Sequence, residues 1–134
     1  MTLKISFDIG GVISKYPAEF KAMMQALQAG GAEVFIITDM PRETSLRTLQ
    51  ENGFEFVPGG HVLNADYDAH GEDCKAVMIK EHGIHIHVDD LPGYCAHTDA
   101  ISLFLWPNTE KPYYHDDFKT ESVTFGRSKK SRPR

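Results

Sequence analysis

Cysteine is scarce in this chain. Only Cys74 and Cys95 occur among 134 residues, far apart and without metal-type spacing. A disulfide framework is therefore not expected, and a reduced, intracellular protein is. Long apolar runs are also missing. No stretch approaches the about 20 residues that a membrane helix needs, and the N-terminus has no charged start followed by a long apolar core. No membrane contact is expected, and a cytoplasmic location follows from that reading. No internal repeat is visible.

What is present is ordinary in total and uneven in distribution. Apolar residues make up 41% and charged residues 25%, as in a soluble globular domain, and the length suits one domain with a real core. The formal charge is −5, but residues 127–134 carry five cations and no acid. The rest of the chain is clearly acidic. Residues 1–126 read as one domain and 127–134 as a basic, disordered tail. Five cations on a flexible end would give a salt-sensitive, unspecific attraction to nucleic acid. A solubilising tail explains the same residues.

Hydrophobic patterning predicts alternating strands and helices. Residues 3–8 form a first strand. Pro17 opens a helix whose stripe is Phe20, Met23, Met24 and Leu27, closed by Gly30-Gly31. Residues 33–37 form a second buried strand ending at Thr38-Asp39. Residues 41–52 form a helix with Leu46 and Leu49 inward and Gly53 as its cap. Residues 54–57 look like a short third strand, and 58–74 are the least regular region. A short helix covers 75–82, a strand 84–88, a turn 91–94 and a last strand 100–106. Periodicity fades beyond Pro107. This alternation implies an α/β fold: a Rossmann-like three-layer α/β/α sandwich with a mainly parallel sheet. One helix fills the space between Val12 and Glu33, so no large cap domain fits there. Residues 58–74 leave room for a small flap at most.

Three of the strands end in polar chemistry, at Asp8, Thr38-Asp39 and Asp89-Asp90. In parallel α/β sheets ligands bind outside the carboxyl ends of the strands. Asp8 also suits the plainer role of capping the turn that follows it. Lys75, at the start of the helix before the Asp89 strand, belongs to the same edge. An aspartate, a hydroxyl, a lysine and an acidic pair suit phosphoryl transfer through a carboxylate nucleophile. In that chemistry Asp8 would attack phosphorus. Mg²⁺ would sit between the anions, held by Asp8, by Asp89 or Asp90, and by a main-chain carbonyl near Gly10. Thr38 donates to the phosphoryl oxygens, and Lys75 neutralises nucleophile and transferring group. Gly10 and Gly11 form the turn that meets the substrate. Asp39 either caps the helix starting near Pro41, the preferred role, or contacts the metal shell or the substrate.

Four motifs carry a family resemblance. They are Phe7-Asp8-Ile9-Gly10-Gly11-Val12, Val34-Phe35-Ile36-Ile37-Thr38, Lys75, and Ile86-His87-Val88-Asp89-Asp90. Their order resembles the haloacid dehalogenase-like (HAD) superfamily of phosphatases, over residues 3 to 90. The resemblance implies a capless HAD core, an aspartyl-phosphate intermediate and Mg²⁺. It also implies an open site suited to a bulky phosphorylated substrate, such as a nucleic-acid end or a phosphoprotein. One departure stands out. The family usually carries a second aspartate two residues after the nucleophile, as the proton donor to the leaving group. Here that position is Gly10, and general acid–base help is worth roughly 10²–10⁴-fold. The alternative function is therefore a HAD-like domain that binds a phosphorylated ligand or a protein partner without turnover.

Other residues rank lower. Lys80 is the rival of Lys75 but lies deeper in its helix. His61 and His70, in the irregular region, are candidate substitute acids, although exposed loop histidines are the plainer reading. His85 and His87 alternate along a strand and line one sheet face. Asp66, Asp68 and Asp73 lack EF-hand spacing.

Overall fold

The computed structural model describes residues 1–119, and the basic tail at 127–134 lies outside them. Five strands form one sheet: β1 (Lys4–Phe7), β2 (Glu33–Thr38), β3 (Val62–Asn64), β4 (Ile86–Asp89) and β5 (Ile101–Phe104). Their order is β3-β2-β1-β4-β5, and every pairing is parallel. The chain moves outward from β1 to β3, then returns to the other side of β1 with β4. The switch point of the sheet thus lies between β1 and β4, where open α/β sheets leave a crevice.

Four helices accompany the strands: α1 (Pro17–Ala29), α2 (Arg42–Glu51), α3 (Tyr67–His70) and α4 (Cys74–His82). Alternation along the strands splits the core in two. Phe7, Val34, Ile36 and Val88 pack with Phe20 and Met24 of α1 and Leu49 of α2. Phe35, Ile37 and Leu63 pack with Cys74 and Ile79 of α4 on the other face. This is the expected three-layer α/β/α sandwich, without a large cap. Pro17 stands at the first turn of α1, where its missing N–H costs nothing. Gly83 ends α4 in the left-handed region (φ 64°), which frees the chain to enter β4.

Several local expectations are corrected. Residues 54–57 are a turn and not a strand. Phe54 N–H donates to Leu49 O and Val57 N–H to Phe54 O, and both side chains are buried. Their apolar character serves the core, while the third strand is Val62–Asn64, inside the region that looked irregular. Met23 and Leu46, expected to face inward, are exposed. The helical stripes are narrower than the periodicity suggested, because the sheet offers each helix only one line of contact. The last strand is shorter than residues 100–106 and lies at the sheet edge, with Ile101, Leu103 and Phe104 exposed.

The segment beyond β5 is attached to the domain. Phe118 is buried in the core beside α1, and Tyr114 packs against the same cluster. His115 N–H donates to Ser14 O at 2.7 Å. Lys119 N–H donates to Asn52 Oδ1 at 2.7 Å, and Asn52 Nδ2 donates back to Lys119 O. A strap made of residues 113–119 therefore crosses from the loop after β1 to the end of α2.

Candidate functional site

Asp8 follows β1 directly, and its N–H donates to Val88 O, so pairing with β4 continues one step past the strand. The chain then turns through Ile9–Ile13. Gly10 has φ −68° and ψ 127°, a conformation open to any residue, whereas Gly11 has φ 77°. Gly11 is glycine for a second reason. A Cβ there would run into the Asp90 carboxylate and would lie 2.7 Å from Cε1 of Tyr113. Gly11 N–H donates to Ser14 Oγ, and Ser14 Oγ donates to Tyr113 O, both at 2.8 Å. That amide is therefore already engaged within the loop.

Lys75, in the first turn of α4, reaches under this loop. Its Nζ lies 3.0 Å from Asp8 Oδ1 and 2.8 Å from Asp89 Oδ2. It also sits 4.1 Å from the centroid of the Tyr94 ring. Two carboxylates and an aromatic face thus surround one buried ammonium. The rival Lys80 is exposed on the far part of α4.

Asp89 accepts four hydrogen bonds. Oδ1 takes the N–H groups of Asp90 and Leu91, and Oδ2 takes Lys75 and His87 Nε2. His87 continues inward, with Nδ1 2.7 Å from Ser6 Oγ. Ser6 and His87 are register partners across β1 and β4, so the contact is a direct cross-strand pair. Ser6, His87 and Asp89 are all fully buried. The expectation that His85 and His87 line one sheet face holds in a specific form. His85 Nδ1 takes Lys4 N–H at the strand's start, while His87 holds Asp89 at its end.

The electrostatics follow from burial and this wiring. Burial pushes the Asp89 carboxyl up, but Lys75 and the His87 hydrogen bond outweigh it and hold the group well below the usual carboxylate range. Burial opposes the charge on Lys75, yet Asp8 and Asp89 overcome that and raise its pKa. Burial raises Asp8 well above the ordinary range; Lys75 opposes the rise, and Asp89, Asp90 and Asp39 add to it. The two partners pull in different directions, since an ionised Asp8 is what helps charge Lys75. Geometry settles Lys75 and Asp89 as the fixed ion pair, and leaves Asp8 as the carboxylate short of positive charge. Burial lowers the pKa of His87, against the pull of Asp89, so its ring is neutral.

Asp8, Asp89 and Asp90 each offer one oxygen, all within 4.8 Å of one another. Hard oxygen donors of this kind suit a divalent cation. Three carboxylates against one ammonium leave two negative charges, which such a cation would balance. The donors are not equal. Both oxygens of Asp89 are saturated by protein donors, whereas Lys75 and the Ile9 N–H both meet Asp8 at Oδ1. Asp89 is thus the group that orients Lys75.

The remaining residues divide plainly. Thr38 ends β2 at the same sheet edge, buried, with Oγ1 accepting Met40 N–H at 3.2 Å. That bond does not use its own hydroxyl proton. The preferred role of Asp39 as a helix cap is wrong. Pro41 precedes α2 and no side chain caps it, while Asp39 Oδ2 accepts the Tyr94 hydroxyl at 3.0 Å. His61 is excluded as a substitute acid. It stacks on Phe35 and bonds Val34 O at the amino end of β2, away from Asp8. His70 is exposed on α3. Asp66 caps α3, and Asp73 pairs with His97.

Sequence reasoning missed Tyr94, Tyr113 and the Ser6–His87 pair. A signal existed for His87, because positions 87 and 89 share a strand face. None existed for Tyr113, which stands in a stretch without periodicity. No protein-family model, curated protein or solved structure matches this chain significantly.

Proposed function

We propose that this chain is a Mg²⁺-dependent phosphohydrolase of the HAD-like type, using Asp8 as nucleophile. One observation carries the reading. A carboxylate at the sheet's switch point shares a buried lysine with a second carboxylate, and a third stands beside it. Purely structural ion pairs rarely leave an excess of buried acid, because uncompensated charge is costly.

The chemistry would run as follows. An oxygen of Asp8 attacks phosphorus, and the bond from phosphorus to the leaving oxygen breaks with its electron pair. Water then attacks the aspartyl-phosphate, releasing phosphate and restoring Asp8. Lys75 holds Asp8 in place and offsets charge on the transferring group. Asp89, held by His87 and two backbone amides, fixes Lys75. Thr38 has a hydroxyl proton to offer a phosphoryl oxygen. Asp8 and Asp90 would hold Mg²⁺, which would supply positive charge to offset that of the nucleophile and the phosphate. Nothing at residue 10 protonates the leaving group.

The test is Asp8-dependent turnover. With Mg²⁺ and p-nitrophenyl phosphate, Asp8→Asn is expected to lose all measurable activity while staying folded. Residual activity within about tenfold of wild type, roughly 1.4 kcal/mol in barrier, would sink the assignment. A second reading is favoured by the missing acid at Gly10: a domain that binds a phosphorylated ligand or protein partner. It predicts tight, Mg²⁺-dependent binding of a phosphorylated ligand with no Asp8-dependent turnover.

A further inference from the structure

We propose that Tyr113 is the residue that selects the substrate, and that the substrate class is aryl phosphomonoesters. The inference rests on the phosphohydrolase reading and adds what that reading leaves open. Two independent observations converge on it.

The first is the aromatic ring over the nucleophile loop. Tyr113 meets Gly11 where a side chain would otherwise stand, beside the Asp90 carboxylate. The ring is half-buried, packed edge-on against Tyr114 with centroids 4.7 Å apart. Its backbone is pinned by Ser14 Oγ on Tyr113 O, and the strap is held by buried Phe118 and by the Asn52–Lys119 pair. The ring therefore has a fixed position beside Gly11 and Asp90. A fixed aromatic ring next to a phosphoryl site favours a planar leaving group, by an aromatic contact that costs little entropy. Gly11 is required here for its positive φ and for the room it leaves, so the loop is built around the ring.

The second is the chemistry at residue 10. Its backbone tolerates any side chain, yet it supplies no proton donor. When the phosphorus–oxygen bond breaks, the electron pair must leave on oxygen. A phenolate carries that charge without a proton, whereas an alkoxide does not. The same site that offers a ring to the leaving group thus lacks the acid that an alkyl ester would need.

The experiment compares kcat and KM for p-nitrophenyl phosphate, β-glycerophosphate and acetyl phosphate, with Mg²⁺. The proteins are wild type, Tyr113→Ala, Tyr113→Phe and Asp8→Asn, each checked for folding by its melting curve. Wild type is expected to prefer the aryl over the alkyl ester by at least about tenfold, within the range that a missing acid imposes. Tyr113→Ala should raise KM for the aryl ester about three- to tenfold, the worth of one aromatic contact. Acetyl phosphate also needs no proton donor but has no ring, and its KM should stay within about twofold, below that contact's worth. Tyr113→Phe should behave as wild type on all three. Equal losses on aryl and acetyl phosphates, or no change on either, overturn the role of Tyr113. Asp8-dependent turnover in the same assays would then leave the phosphohydrolase reading standing. Absence of Asp8-dependent turnover on every probe overturns both.

Discussion

The carboxyl edge between β1 and β4 and the outer edge at β5 are built in opposite ways. At the first, Ser6, Lys75, His87 and Asp89 are as buried as any core residue. At the second, Ile101 is 61% and Trp106 80% exposed. Hydropathy alone would have reversed both. The polar groups can be buried because each finds a partner: Lys75 two carboxylates, Asp89 four donors, His87 one group on each nitrogen. The apolar groups of β5 are exposed because, among the described residues, only the short turn of helix at Pro92–Cys95 packs against that strand and no long helix lies over it. Burial here follows wiring and coverage, not residue type. Substitutions at the first edge should therefore cost much, and at the second little.

The largest effect is expected from Lys75→Met. It strands two buried carboxylates, and removing one partner of a buried ion pair costs about 3–5 kcal/mol. Activity should fall by about 10²-fold or more, the scale set by lost electrostatic stabilisation. Denaturant unfolding and turnover of p-nitrophenyl phosphate check the two parts. A variant within about 1 kcal/mol of wild type would mean that the cluster is far better hydrated than its burial implies.

Gly11→Ala comes next. The positive φ costs about 1–2 kcal/mol for a residue with a Cβ, and the Asp90 carboxylate and Tyr113 ring must also move. Gly10→Ala, one residue earlier at an ordinary φ, should cost less. Melting temperatures of the pair decide it, and an equal drop in both would show that backbone conformation is not what distinguishes them.

Asp8→Asn should stabilise the metal-free protein. The folded pKa of Asp8 lies above its unfolded value, through burial first and the neighbouring acids second. The folded state then holds the proton more tightly than the unfolded one. That contribution is complete below the unfolded pKa and is lost as pH rises through the raised folded pKa. At pH 7.5 in chelator the variant should therefore melt above wild type. The gain should shrink as pH is lowered through the raised folded pKa. Mg²⁺ should stabilise wild type and help the variant less. A variant that melts below wild type in chelator at pH 7.5 would contradict the charge balance assigned to the site.

The smallest effect belongs to the outer edge. Ile101→Thr should change stability by less than about 0.5 kcal/mol, as exposed substitutions usually do. A larger loss would show that β5 is covered in solution by something beyond residues 1–119.

Much of the fold and part of the site could be read from residues. Strands that end in Asp8, Thr38 and Asp89 announce themselves, because an apolar run followed by a carboxylate is a local pattern. Lys75 was separable from Lys80 by its position in the helix. The failures share one cause. Phe54–Val57 carries the composition of a strand, but composition reports burial and does not report pairing. Asp39 has the position of a cap, but the Tyr94 hydroxyl, distant in sequence, takes its carboxylate.

By itself, then, the sequence determined the α/β class, the parallel direction of the strands and the polar ends they deliver, since these depend on local periodicity and on the handedness of crossovers. Tertiary structure decided the rest. It made Asp89 the saturated partner of Lys75 and set Asp8 and Asp90 beside it. It joined His87 to Ser6 through strand register, and it brought Tyr113 across the fold onto Gly11. Contacts between residues far apart in sequence depend on how layers pack, and no local pattern along one chain encodes that geometry.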